Sequence, residues 1–142
     1  MRLALREAER APDHGDVPVG CVIARAGEVI AATTNERELR GDPTAHTEVL
    51  ALREAARVVG GWRLDDCAVY VTLEPCTMCA GALVLARVPR VVFGATDPKA
   101  GAAGSVLDAL AEPRLNHRPQ VAGGLLAEES AELLRAFFAE RR

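Results

Sequence analysis

No stretch of this chain approaches the roughly 20 consecutive apolar residues that a membrane-crossing helix needs. Nor does Met1 to Glu7 read as a secretory leader: it is amphipathic and carries an acid early, without an apolar centre or small-residue cleavage site. Positive charge is not in excess, with 17 lysines and arginines against 20 acids, a net of −3. That balance excludes a general polyanion binder and confines any nucleic-acid contact to a local patch. Internal repeats, low-complexity tracts and linkers are absent from the sequence. What remains is 142 residues, 49% of them apolar and 26% charged, enough for one core and too hydrophobic for disorder. The expectation is one cytoplasmic domain over residues 1–142 with no membrane association.

The four cysteines, Cys21, Cys67, Cys76 and Cys79, do not read as a disulfide framework, because nothing points to secretion. Cys21 and Cys67 fall in apolar, strand-like runs and read as core residues. Helical spacing of Leu3, Ala4, Ala8 and Ala11 predicts a first helix, broken by Pro12 to Asp16. Val17 to Ala24 reads as a strand, and Ala26-Gly27-Glu28 turns it into a second one ending near Thr33. A polar stretch from Asn35 to Thr44 leads into a helix over 45–59, with Asp42-Pro43-Thr44 as its start signal and Gly60-Gly61 as its stop. Then come a strand at Cys67–Leu73, a helix at 77–87 and a strand at 90–94. A glycine- and alanine-rich loop, 95–104, and a helical turn at 106–110 follow. A weak strand at 120–125 and a closing helix at 127–142 complete the chain. This order gives a three-layer α/β/α sandwich around a central mixed five-stranded sheet, mixed because the opening hairpin is antiparallel.

Two short motifs carry chemistry. Cys76 and Cys79 are one helical turn apart at a predicted helix start, so both sulfurs can face one point, and the positive helix end favours thiolate. Taken alone, the pair reads equally as a redox dithiol or half of a zinc ribbon. His46, at the start of another predicted helix, supplies a third ligand. Two sulfurs and one nitrogen suit zinc, and three protein ligands leave one position open for water, as catalytic zinc requires. A four-ligand structural site lacks a donor, since the other histidines, His14 and His117, have no useful spacing. Glu48 is then placed as a general acid–base that takes the proton of the zinc-bound water. In mid-helix His46 and Glu48 would point about 200° apart, so both must sit at the helix entrance to share a pocket.

His46-Thr47-Glu48 followed by Pro75-Cys76-Thr77-Met78-Cys79 resembles the signature of the zinc-dependent nucleobase deaminases. Longer matches look specifically like the bacterial tRNA adenosine deaminases, the TadA family. They include Val17-Pro18-Val19-Gly20, Asp42-Pro43-Thr44-Ala45-His46, Val71 to Cys76, Met78 to Ala82, Val91 to Ala95, Gly101 to Ser105, Asn116-His117-Arg118 and Leu133 to Phe138. The resemblance implies a cytidine deaminase-like fold and hydrolytic deamination of adenosine to inosine at wobble position 34 of a tRNA anticodon, through zinc-bound hydroxide. It puts one zinc per subunit on His46, Cys76 and Cys79, with Glu48 as proton shuttle. It also implies that Asn35 contacts the flipped base and that Val19, Ala45 and Pro75 wall the pocket. Asp97 and Lys99 would meet the substrate strand, and Phe138 would lie near the anticodon loop. A homodimer and an arginine tRNA as substrate are implied in the same way.

Thr47 departs from the family, which has alanine between histidine and glutamate. Its side chain is expected either to crowd the pocket or to find a hydrogen-bond partner nearby. With a net charge of −3, the grip on RNA must come from local bases such as Arg87, Arg90, Lys99, Arg118, Arg135, Arg141 and Arg142. Two rival functions share these motifs. A free nucleobase or nucleoside deaminase, of guanine or cytosine type, would close its pocket with a lid, often C-terminal. A non-catalytic zinc or RNA-binding module would have no use for Glu48.

Overall fold

A computed structural model describes residues 1–141 of the chain. Helix α1 (Arg2–Ala8) leads through a single 3-10 turn, Ala11–His14, into strands β1 (Gly20–Arg25) and β2 (Glu28–Thr34). Between them Ala26 and Gly27 both have positive φ, 51° and 80°, the two-residue turn whose twist matches an antiparallel hairpin. A short helix α2 (Arg37–Arg40) precedes α3 (Thr47–Val59) and β3 (Cys67–Leu73). Helix α4 (Thr77–Leu85) then crosses to β4 (Arg90–Ala95), and after β5 (Gln120–Gly123) the chain closes with α5 (Ala127–Ala139). Arg142, expected to be the last residue of the closing helix and a local base, lies outside the described residues.

The five strands lie in the order β2-β1-β3-β4-β5. β1 is antiparallel to β2 and β3, while β3, β4 and β5 run parallel, so the sheet is mixed. The two-residue period of a strand divides its side chains between two layers. Cys21, Ile23, Val69, Val71, Val91 and Phe93 point to the face covered by α3 and α4 and form one buried cluster with Ala51, Leu52, Ala55 and Leu83. The other face meets α1 and α5 through glycines. A Cβ on Gly20 would lie 2.0 Å from the Ala4 carbonyl oxygen, and one on Gly94 would lie 2.6 Å from Ser130 Oγ. Only a bare Cα lets those helices approach so closely.

Some expected boundaries move, each for a local reason. β1 starts at Gly20 because Pro18 lacks an N–H and Val19 N–H turns back to the Val17 carbonyl. Asp42 does not cap α3: its Oδ1 accepts both the N–H and the hydroxyl of Thr44 at 2.8 Å, making a turn ahead of the helix. The residue at the α3 N-cap is instead His46, with extended backbone (φ −69°, ψ 149°). Cys76 occupies the same position on α4 (φ −75°, ψ 177°). Helix α2 was expected as irregular polar chain; buried Asp16 holds it, accepting the N–H groups of Glu38 and Leu39 at 2.7 and 3.1 Å. Cys21 and Cys67 are core residues with free thiols, as expected.

Candidate metal centre and active site

The parallel strands end where α3 and α4 begin, and this brings the two helix entrances together. His46 and Cys76, as N-caps, leave the helical path and turn their side chains back over the open ends. His46 Nδ1 lies 3.6 Å from Cys76 Sγ and 3.6 Å from Cys79 Sγ. All three donor atoms fall within 4.8 Å of one another. A tetrahedral zinc with bonds of about 2.3 Å to sulfur and about 2.05 Å to nitrogen requires a nitrogen–sulfur separation of about 3.6 Å. The donors therefore stand at the spacing that one ion would bridge.

The electrostatics agree with a metal-ready site. The Cys79 thiol and His46 beside it pull the Cys76 thiol down to about 4, so it is a thiolate at neutral pH. Cys79 is pushed far up by the neighbouring Cys76 and by burial, and the Cys76 contact raises His46. Two thiolates side by side in a buried site repel each other, and a divalent cation removes that conflict. Glu48, in the first turn of α3, is 5% exposed, and loss of solvation raises its carboxyl above the usual carboxylate range. A carboxyl with raised proton affinity beside a metal site is suited to accept and return a proton.

His46, Cys76 and Glu48 border a cleft of about 170 Å³ whose lining includes Val17, Val19, Asn35, Arg37, Leu73, Glu74, Asp97 and Ala100. Asn35 is oriented by its Nδ2, which donates to the Val17 carbonyl at 3.2 Å. That contact leaves the buried Oδ1 without a partner. An unpaired buried acceptor is costly, and a donor on a bound ligand would satisfy it.

The MafB19-like deaminase family matches residues 1–142. A tRNA-specific adenosine deaminase of Bacillus subtilis is 49% identical over all of this chain and 88% of its own length. The chain belongs to the tRNA-specific adenosine deaminase family. A structure from studies of A-to-I editing by tRNA deaminases at the wobble position superposes with a TM-score of 0.91 at 45% identity, over 94% of this chain and 97% of that one. A guanine deaminase of Bacillus subtilis follows the same fold at TM-score 0.66 and 34% identity, over 99% and 90% of the two chains. The protein is thus a hydrolytic deaminase with the cytidine deaminase-like architecture.

The other residues singled out from the sequence of this deaminase divide into three groups. Val19, Asn35 and Asp97 line the cleft with His46, Cys76 and Glu48. Ala45 and Pro75 are fully buried and do not reach its lining. Lys99 and Phe138 border a separate groove with Leu134, Arg135 and Arg141. Asp97 also has a structural task, its Oδ1 accepting the N–H groups of Lys99 and Ala100 at 3.0 and 3.2 Å. Thr47 meets both expectations: it is part of the cleft lining, and its hydroxyl donates to the Thr33 carbonyl at 2.9 Å while Thr33 Oγ1 donates to the Thr47 carbonyl at 2.8 Å.

Several of the expected surface bases already hold protein groups. Arg87 donates to the carbonyls of Val84 and Leu85, Arg118 to those of Pro113 and Leu115, and Arg135 to Glu128. Sequence reasoning missed Glu74 and Arg37. The first read only as a strand stop and the second as part of a polar stretch, and no local pattern marks either as facing a cleft.

Proposed function

We propose that this deaminase converts adenosine to inosine at wobble position 34 of a tRNA anticodon, using one zinc ion per subunit held by His46, Cys76 and Cys79. The observation that carries the reading is the donor triad at 3.6 Å spacing with the buried Glu48 carboxyl in the same cleft. Zinc bound there supplies a Lewis acid that lowers the pKa of a water molecule to about 7 in the best-known case. Glu48 takes a proton from the attacking water onto a carboxylate oxygen. It passes that proton to the purine ring nitrogen, then takes the second proton from the hydroxyl of the adduct and delivers it to the departing amine. Water adds to the base and ammonia leaves, so the sum is adenosine plus water giving inosine plus ammonia. Asn35 Oδ1 accepts a hydrogen bond from the flipped nucleoside, and Val19 packs against it.

Phe138, about half exposed, stands with Lys99 and Arg141 at the neighbouring groove. An aromatic ring flanked by cations suits a single-stranded loop, one group for base stacking and the others for phosphate. Lys99 of this groove adjoins Asp97 and Ala100 of the cleft wall, so one strand can engage both, which favours a macromolecular substrate over a free base. An arginine tRNA is the substrate expected from the family resemblance. With tRNA as substrate the enzyme works in the cytoplasm; no helix among the described residues is long and apolar enough to cross a membrane.

A homodimer forms through the outer face of α3 and α4. There Trp62 and Leu85, 60% and 70% exposed, flank an apolar groove with Leu52, Ala56 and Ala82. The deciding experiment incubates zinc-loaded enzyme with anticodon stem-loops bearing A or C at the wobble position, and with free guanine, cytosine and adenine. Inosine and ammonia from the adenosine stem-loop alone support the reading. Ammonia from a free base but not from RNA transfers the enzyme to the nucleobase deaminases.

A further inference from the structure

Glu74 ends β3 two residues before Cys76 and is 3% exposed. Its carboxylate faces the loop that follows β4, not solvent. One oxygen accepts the Asp97 N–H at 3.0 Å and the Ser105 hydroxyl at 2.5 Å. The other accepts the N–H groups of Ala103 and Ser105 at 3.0 and 3.1 Å. A carboxylate offers about four lone-pair sites, and here four donors fill them. No oxygen of Glu74 is left to exchange a proton with a substrate, so a catalytic role is excluded and a positioning role remains.

The loop is closed on itself by short-range bonds, Gly101 N–H to the Asp97 carbonyl and Ala109 N–H to that of Ala102, both at 2.9 Å. Ala95 to Gly104 is rich in glycine and alanine, without large side chains to bury. Its main chain is fastened by Glu74 and its neighbour: Glu74 N–H donates to the Ala95 carbonyl, and Ala102 N–H to that of Pro75, both at 2.8 Å. Gly101 presses directly on the carboxylate, since a Cβ there would lie 2.3 Å from Glu74 Oε2. Asp97 and Ala100, which this anchor holds in place, form part of the cleft wall.

We infer that Glu74 is a positioning residue that fixes the 96–105 loop as the outer wall of the cleft and thereby sets the affinity for the substrate. The inference rests on the function proposed above for the same cleft. It is tested with zinc-loaded wild type, Glu74→Gln and Ser105→Ala. Glutamine is nearly isosteric, but its NH2 cannot accept from the donors it faces, whereas Ser105→Ala removes a single donor.

Two readouts are compared: amide hydrogen exchange at Asp97 and Ala103, which needs no substrate, and kinetics on the adenosine stem-loop. Expected for Glu74→Gln are faster exchange at both amides, a KM raised about tenfold, kcat within about twofold and undiminished zinc content. Ser105→Ala shifts both readouts in the same direction by less, and it carries the test if the glutamine variant does not fold. Unchanged exchange overturns the anchor. Faster exchange with unchanged KM, or a fall in kcat alone, overturns the link to substrate affinity. A wild type inert on the stem-loop instead defeats the proposed substrate, and the exchange readout then decides the anchor alone.

Discussion

Replacing Thr47, which is 1% exposed, by alanine removes a buried hydroxyl from the α3–β2 junction. The lost bond is the one to the Thr33 carbonyl, 2.9 Å long. A buried neutral hydrogen bond contributes about 0.5–1.5 kcal/mol. Deleting the buried methyl adds about 0.8 kcal/mol. The reciprocal bond from Thr33 Oγ1 to the Thr47 carbonyl survives, because its acceptor is main chain. The sum is about 2 kcal/mol, and at about 3 °C per kcal/mol for a domain of this size the melting temperature falls by about 6 °C. Thr47→Val keeps the volume and loses only the hydroxyl, so it falls about half as far. Thermal unfolding of the zinc-loaded proteins measures both shifts. Deamination by Thr47→Ala stays within about threefold of wild type, since the hydroxyl points at β2 and no step assigns it a proton. An unchanged or higher melting temperature in both variants would mean that the Thr47 hydroxyl bond contributes no stability.

Leu85→Glu places a charge on the most exposed large apolar side chain of the α3–α4 face. It is expected to convert a dimer of about 30 kDa by light scattering into monomers, with the isolated fold intact; an unchanged mass would remove that face from the interface. After zinc is stripped with a chelator, iodoacetamide is expected to label Cys76 first, because it is half-buried with a thiol pulled down to about 4. Cys21, with its thiol raised by burial, and Cys67, raised to about 11, stay unmodified until unfolding, and restored zinc protects Cys76. Asp42 is held below its ordinary value of 3.8 by the Thr44 N–H and hydroxyl. Its stabilising effect on the loop before α3 is therefore complete above pH 3.8 and lost as pH falls through the lower folded value. A carboxyl NMR titration with its midpoint at or above 3.8 would contradict this.

The fold was legible because its elements obey local rules. Short apolar runs wrote β1, β3 and β4, and Gly60 and the Ala26-Gly27 pair punctuated the chain where positive φ was required. The metal donors were legible for a related reason. A histidine and a cysteine each placed before a helical run become N-caps, and N-caps of adjacent helices in an α/β sheet converge. The same placement lets His46 and Glu48 share a cleft despite being two residues apart. What escaped were contacts of long sequence separation made to backbone groups. Glu74 reaches amides 23 to 31 positions away, and Asp16 reaches amides 22 and 23 positions away. A backbone donor has no side-chain identity, so neither carboxylate has a partner that composition or spacing can reveal. Helix α2 was missed with Asp16, because four residues, all charged but Leu39, carry no apolar period of their own.

In the mechanism proposed above, three side chains hold the metal while a fourth, Glu48, moves the proton. Zinc content and inosine yield measured together on Glu48→Ala separate the two roles. Expected is one zinc per chain, as in wild type, with deamination of the adenosine stem-loop slowed by about 10²–10⁴-fold. Wild-type turnover in that variant, or loss of zinc along with the glutamate, would contradict it.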